Sequence, residues 1–121
     1  NIEHLRGSDH NDTLTGDEES NRLIGGAGED TLDGGAGKDW AFYHGSDAAV
    51  VVNLSVKNDS GVTTGVGGHA ADDKLSNIEH LHGSDHDDTL TGDGESNRLF
   101  GGAGNDTLNG GAGHDVLLIR P

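Results

Sequence analysis

Side chains that offer only oxygen recur every nine residues: Asp12, Asn21, Asp30 and Asp39, then Asp88, Asn97, Asp106 and Asp115. No thiolate is present anywhere and no imidazole sits at the recurring positions, so the donor set is hard. Carboxylate and amide oxygens joined by backbone carbonyls suit Ca²⁺, which takes six to eight oxygen ligands. Mg²⁺ is the weaker candidate because it resists dehydration. Such chemistry needs a scaffold that brings loops nine residues apart into a repeated geometry.

The scaffold is written in the same period. The first block reads GSDHNDTLT, GDEESNRLI, GGAGEDTLD and GGAGKDWAF, and the second GSDHDDTLT, GDGESNRLF, GGAGNDTLN and GGAGHDVLL. Each frame places Gly at position 1, Asp or Asn at position 6 and an apolar residue, nearly always Leu, at position 8. Position 8 is expected to point inward from a very short strand, at Leu14, Leu23, Leu32, Leu90, Leu99, Leu108 and Leu117, with positions 7 and 9 on the outer face. Positions 1 to 6 must then turn the chain. Glycines at 1, 2 and 4 are expected to permit positive φ and to let carbonyls converge without Cβ obstruction.

A longer repeat encloses the short one. Residues 1–42 realign with 77–118 at an offset of 76 with ten mismatches. The pattern GGxGxDxUx, where U is apolar, resembles the RTX (repeats-in-toxin) family of calcium-binding nonapeptide repeats, and the resemblance covers nearly the whole chain. It implies an all-β, right-handed parallel β-roll in which two nonapeptides make one turn, so that repeat n stacks on repeat n+2 and an ion lies between the stacked loops.

The resemblance also implies a division of ligands. The earlier loop gives the carbonyls of positions 1 and 3 and its position 6 side chain; the later loop gives the carbonyls of 2 and 4 and its own position 6 side chain. Four sites follow: Gly7, Asp9 and Asp12 with Gly26, Gly28 and Asp30; Gly16, Glu18 and Asn21 with Gly35, Gly37 and Asp39; Gly83, Asp85 and Asp88 with Gly102, Gly104 and Asp106; Gly92, Gly94 and Asn97 with Gly111, Gly113 and Asp115. The degenerate loops GSDHND and GDEESN are then earlier partners, where non-glycine residues at 2 and 4 do least harm. Sites containing Asn carry one charge fewer and are expected to bind more weakly.

Composition agrees with a fold that depends on its ions. The chain has 121 residues, 30% hydrophobic and 3% aromatic, with 22 acidic against 7 basic residues and a formal charge of −15. A thin core and strong self-repulsion predict disorder without a cation. Four divalent ions would reduce the charge to about −7. The same sign argues against nucleic acid, anionic lipid or a polyanionic polysaccharide as a direct partner, since each needs a Lys/Arg patch and none is visible along the chain. No apolar run approaches membrane-span length, and the absence of Cys rules out a disulfide framework.

The organisation expected is one roll over 1–121: a first repeat block at 1–42, connecting strands at 43–76 that continue the coil, and a second block at 77–121. The chain starts without Met in mid-pattern and reads as a piece of something longer. In the connection, Val50, Val52, Leu54 and Val56 alternate as on a half-buried strand, and Gly61, Gly65, Gly67 and Gly68 punctuate turns. Glu3 and Glu79 occupy position 6 of an incomplete repeat, as ligands or, on the favoured reading, as structural caps. His80 and His82 share a strand face near His86, but without a convergent third ligand they argue for surface residues rather than zinc. Trp40, Phe42 and Tyr43 are expected to pack over the coil rather than to stack on a sugar.

No G-x-S-x-G, H-E-x-x-H or other catalytic constellation is present, so the chain is expected not to be an enzyme. The resemblance implies, as the leading expectation, a module that folds on Ca²⁺ outside the cell and serves a larger protein exported by Gram-negative type I secretion. The alternatives are a repeat unit of a large calcium-dependent adhesin and, less favoured, a carbohydrate-binding module of a secreted polysaccharide-modifying enzyme. Expected partners are calcium ions, with no nucleic acid and no membrane insertion; a surface or carbohydrate ligand of the parent protein stays open.

Overall fold

A strand of three residues buries one side chain, so it can be held only by stacking on copies of itself. The computed structural model describes residues 2–57 and 61–119. It contains β1 (Ile2–Arg6), β2 (Thr13–Thr15), β3 (Ser20–Ile24), β4 (Thr31–Asp33), β5 (Trp40–Phe42), β6 (Val51–Asn53), β7 (Thr63–Thr64), β8 (Lys74–Ser76), β9 (His80–His82), β10 (Thr89–Thr91), β11 (Arg98–Gly102), β12 (Thr107–Asn109) and β13 (Val116–Ile119), with one short 3-10 turn at Gly68–Ala70. One face is a parallel sheet in the order β1-β3-β5-β9-β11-β13; the other is divided into β2-β4-β8-β7 and β6-β10-β12. This is an all-β parallel roll.

Within each block the register is two nonapeptides. Leu5 pairs with Leu23, Leu14 with Leu32, Leu81 with Leu99, and Leu90 with Leu108. Position 8 therefore stacks on position 8 one turn later. The buried column consists of Leu23, Leu32, Ala41, Leu81, Leu90 and Leu99, each large member worth about 1.5–3 kcal/mol of burial. Leu14 and Leu108 are only partly buried against it. Leu117 departs from the expectation at 44% exposed, because β13 is the last strand of its sheet and pairs on one side only.

The connection preserves the stacking with one departure. Ala41 of β5 pairs with Leu81 of β9, Leu32 of β4 with Leu75 of β8, and Val52 of β6 with Leu90 of β10, all in parallel. Between β8 and β6, however, β7 runs antiparallel to β8, and Val66 bridges Val51 in the antiparallel sense. The extra strand widens that face, and Tyr43, Val50, Val52, Leu54, Ala70, Leu75 and Ile78 fill the space behind it. Tyr43 thus lies inside and not over the coil, with its hydroxyl donating to Asp73 Oδ2 at 3.1 Å. Val56, expected on the buried face, is exposed.

Candidate metal centres

Stacking by one turn sets the position 6 residues of loops n and n+2 against each other. In all four expected pairs the backbone N–H of the earlier residue donates to Oδ1 of the later aspartate at 2.8 Å: Asp12 to Asp30, Asn21 to Asp39, Asp88 to Asp106 and Asn97 to Asp115. One carboxylate oxygen is thereby fixed. The other, Oδ2, has no hydrogen-bond partner at Asp30, Asp39 and Asp106 although it is buried. A buried anionic oxygen without a donor is costly unless something cationic meets it.

The titration behaviour of these groups reflects the same cost. Burial, first, pushes the carboxyls of Asp30, Asp39 and Asp106 above their ordinary range, Asp39 to about 6, against the pull of the amides they accept. Asp12 adds to the rise at Asp30, and Asp88 to that at Asp106, by like charge.

The earlier loops treat their carboxylates differently. Ser8 donates its N–H to Asp12 Oδ2 at 2.6 Å and its hydroxyl to the same carboxylate at 3.1 Å. Ser84 does the same for Asp88 at 2.8 and 2.7 Å. In the other two earlier loops the N–H of Asp17 and of Asp93 donates to Asn21 and Asn97 Oδ1. Position 2 is thus not merely tolerated when it is not glycine: its hydroxyl or carboxylate braces the loop, as where Asp17 Oδ1 accepts the Glu19 N–H. Sequence reasoning misses this brace, although Ser or Asp at position 2 of every earlier loop is a visible signal.

The glycines divide into two kinds. Positions 2 and 4 of the later loops, such as Gly26 at φ +83° and Gly104 at φ +94°, occupy the left-handed region. A Cβ on Gly26 would lie 2.6 Å from the Ser8 carbonyl oxygen, and on Gly104 2.6 Å from that of His86. The other later-loop glycines, Gly28, Gly35, Gly37, Gly102, Gly111 and Gly113, also combine positive φ with a close carbonyl of the earlier loop. Position 1 differs from the expectation: its φ is ordinary, and glycine is required there because a Cβ would strike the loop's own position 6 side chain, at 2.6 Å for Gly7 and 2.5 Å for Gly83. Gly16 and Gly92 stand in the same relation to Asn21 and Asn97. The position 3 residues Asp9, Glu18, Asp85 and Gly94 are exposed at the loop crests. The carbonyls of Glu18 and Gly94 nevertheless come near the space beside Gly37 and Gly113, at 3.0 and 3.1 Å from where a Cβ would stand.

The ladder extends beyond the nonapeptides. The Asp30 N–H donates to Asp73 Oδ1 at 2.7 Å, and the Asp39 N–H to Glu79 Oε1 at 2.9 Å. Asp73 and Glu79 therefore act as position 6 residues for the next turn, two places before the buried Leu75 and Leu81. Burial lifts Asp73 to about 7 and raises Glu79. Asp73 is legible in the sequence only through the D-x-L spacing of DDKL. On the far side of the connection the Val50 N–H donates to Asp88 Oδ1 at 2.8 Å, so one ladder there lacks a carboxylate. The side chain of Glu3 lies outside the described residues.

Among the described residues no three His, Cys, Asp or Glu side chains converge on a metal position. Each candidate centre offers two side chains and needs main-chain oxygen for the rest. The histidines follow another course: His80 Nδ1 accepts the Arg98 N–H at 3.0 Å, and His82 Nδ1 lies 2.9 Å from the Gly83 carbonyl.

The ladders, the orphaned oxygens and the glycine cradles define a parallel β-roll of cation-binding nonapeptide loops. Comparison with protein families agrees: the RTX calcium-binding nonapeptide repeat matches in four copies over residues 6–41 and 82–117. The chain belongs to that family, and its repeats are calcium-binding. No curated protein matches it.

Proposed function

We propose that residues 1–121 act as one calcium-dependent folding module, without catalytic activity of its own, within a larger exported protein. The observation that carries this reading is the set of buried, unpartnered Oδ2 atoms on Asp30, Asp39 and Asp106. Bound Ca²⁺ would supply the positive charge that these oxygens lack. In this reading the earlier loops hold an ion through the carbonyls of Gly7 and Asp9, Gly16 and Glu18, Gly83 and Asp85, or Gly92 and Gly94, together with Asp12, Asn21, Asp88 or Asn97. The later loops contribute the carbonyls of Gly26 and Gly28, Gly35 and Gly37, Gly102 and Gly104, or Gly111 and Gly113, with Asp30, Asp39, Asp106 or Asp115. Low free calcium inside a cell leaves such a chain unfolded and export-competent, and higher calcium outside folds it by ligand linkage.

The family is typically extracellular, and among the described residues no helix is long and apolar enough to cross a membrane. Gram-negative type I secretion is the route this reading assigns. A repeat unit of a calcium-dependent adhesin is the second reading, favoured by the 76-residue super-repeat. The test is the rank of the sites. Asp30→Ala and Asp106→Ala each remove a charged ligand opposite another carboxylate, and should raise the calcium midpoint of folding more than Asn21→Ala or Asn97→Ala. Equal shifts in all four would show that the pairing of loops is wrong.

A further inference from the structure

An asparagine followed by glycine is open to an internal reaction, because glycine has no side chain to keep its amide nitrogen away from the preceding side-chain carbonyl. Asn109–Gly110 is such a pair, and every other asparagine in the chain is followed by Asp, Arg, Leu or Ile. The 76-residue super-repeat supplies its own comparison: Asp33–Gly34 stands at the same place in the first block, in LDGGAG against LNGGAG.

The two places share their local geometry. Asp33 Oδ1 accepts the Gly35 N–H at 3.0 Å, and Asn109 Oδ1 accepts the Gly111 N–H at 3.0 Å. Each side-chain carbonyl therefore closes a short turn around the peptide bond to the intervening glycine. What holds that glycine differs. β4 lies between β2 and β8, the Gly34 N–H donates to the Ser76 carbonyl at 3.0 Å, and Asn77 Nδ2 donates to Asp33 Oδ1 at 2.9 Å. β12 pairs with β10 alone, Asn109 is exposed, and among the described residues the Gly110 N–H has no acceptor.

We propose that Asn109 is a self-modification site. The Gly110 nitrogen attacks Asn109 Cγ; the new N–Cγ bond closes a cyclic imide, the Cγ–Nδ2 bond breaks, and Nδ2 leaves as ammonia with the proton that the Gly110 nitrogen gives up. Water then opens the imide at either carbonyl, giving aspartate, or isoaspartate with the main chain running through Cγ. The Gly111 N–H already bonded to Oδ1 stabilises the negative charge that gathers on that oxygen during attack. No oxidant and no cofactor enters.

The two products differ in consequence. Aspartate at 109 reproduces what the first block carries as Asp33, so the turn accepts it. Isoaspartate adds a carbon to the main chain directly before Gly110. Gly111 at φ +76° and Gly113 at φ +93° are fitted against the Asp93 and Glu95 carbonyls, so the longer chain displaces this loop from the one that holds Asn97. The centre between them weakens, a consequence that rests on the calcium reading above.

The experiment ages a chain carrying Asp33→Asn in saturating calcium at mildly alkaline pH and follows positions 33 and 109 by peptide mapping with mass spectrometry. The substitution keeps the Oδ1 acceptor and gives both blocks the same local sequence, so a difference in rate comes from the fold. Position 109 should deamidate about fivefold to tenfold faster than position 33, the factor expected for opening one ladder hydrogen bond. In guanidinium the two rates should agree. No conversion at 109, equal rates in the folded protein, or the same inequality in guanidinium would each overturn the proposal. The isoaspartyl fraction of aged wild type should need more calcium to fold than the fresh protein, while Asn109→Asp should match it; an unchanged midpoint in the isoaspartyl fraction would overturn the link to the centre.

Discussion

Replacing Asp39 by Asn separates the two roles this carboxylate plays, because they respond in opposite directions. Asp39 is fully buried, its Oδ1 accepts the Asn21 N–H at 2.8 Å, and its Oδ2 has no partner. Burial, with Asp17 and Asp33 adding like charge, raises its pKa from 3.8 to about 6. The metal-free roll is therefore favoured most below about pH 4, where the group is protonated in both states, and loses stability as pH rises through about 6. A rise of that size corresponds to at most about 3 kcal/mol, and to about 1–2 kcal/mol after screening by water at the loop crests. Asp39→Asn keeps the Oδ1 acceptor and removes the charge. In chelator at pH 7 the variant should hold more β-structure than the wild type, and its content should depend less on pH between 4 and 7, by circular dichroism. With calcium the order reverses: the site opposite Asn21 loses its only carboxylate, and the midpoint of calcium-induced folding should rise at least about tenfold. A variant less structured than wild type in chelator at pH 7, or one with an unchanged calcium midpoint, would refute the reasoning.

Two further outcomes follow from packing. Gly104→Ala places a Cβ 2.6 Å from the His86 carbonyl oxygen at a φ of +94°, so it should raise the calcium midpoint, whereas Gly94→Ala, with open space around it, and His86→Ala, on an exposed side chain, should leave it nearly unchanged; calcium titrations of the three variants in one buffer check this. Leu81→Ala, fully buried between Ala41 and Leu99, should cost about 2–5 kcal/mol in urea unfolding at saturating calcium, against less than about 1 kcal/mol for Leu117→Ala at 44% exposed.

Most of the roll is legible in the repeat period taken together with the family resemblance it carries. A Leu at every ninth residue marks the inward positions but fits a turn of one nonapeptide as well as of two; that Leu14 meets Leu32 is what the family resemblance implies and the structure shows, and the paired aspartates follow from that register. Features that depend on the connection are hidden. The antiparallel β7 leaves no periodic trace, because Thr63 and Thr64 are too few to alternate, and Asp73 stands outside the nonapeptide frame. Sequence spacing suggests backbone freedom as the reason for glycine at position 1, whereas the need arises from the carboxylate folded against it, a contact that spacing does not display.

The central claim is that calcium is part of the folded state rather than an addition to it. A far-UV circular dichroism titration from excess chelator into Ca²⁺ at neutral pH, repeated with Mg²⁺, tests it most directly. The charge of −15 and the thin core, to which each repeat strand gives one buried side chain, predict a disordered spectrum in chelator and a cooperative gain of β-structure with Ca²⁺ at concentrations where Mg²⁺ has little effect. A fully formed β spectrum in chelator, unchanged by calcium, would contradict the account.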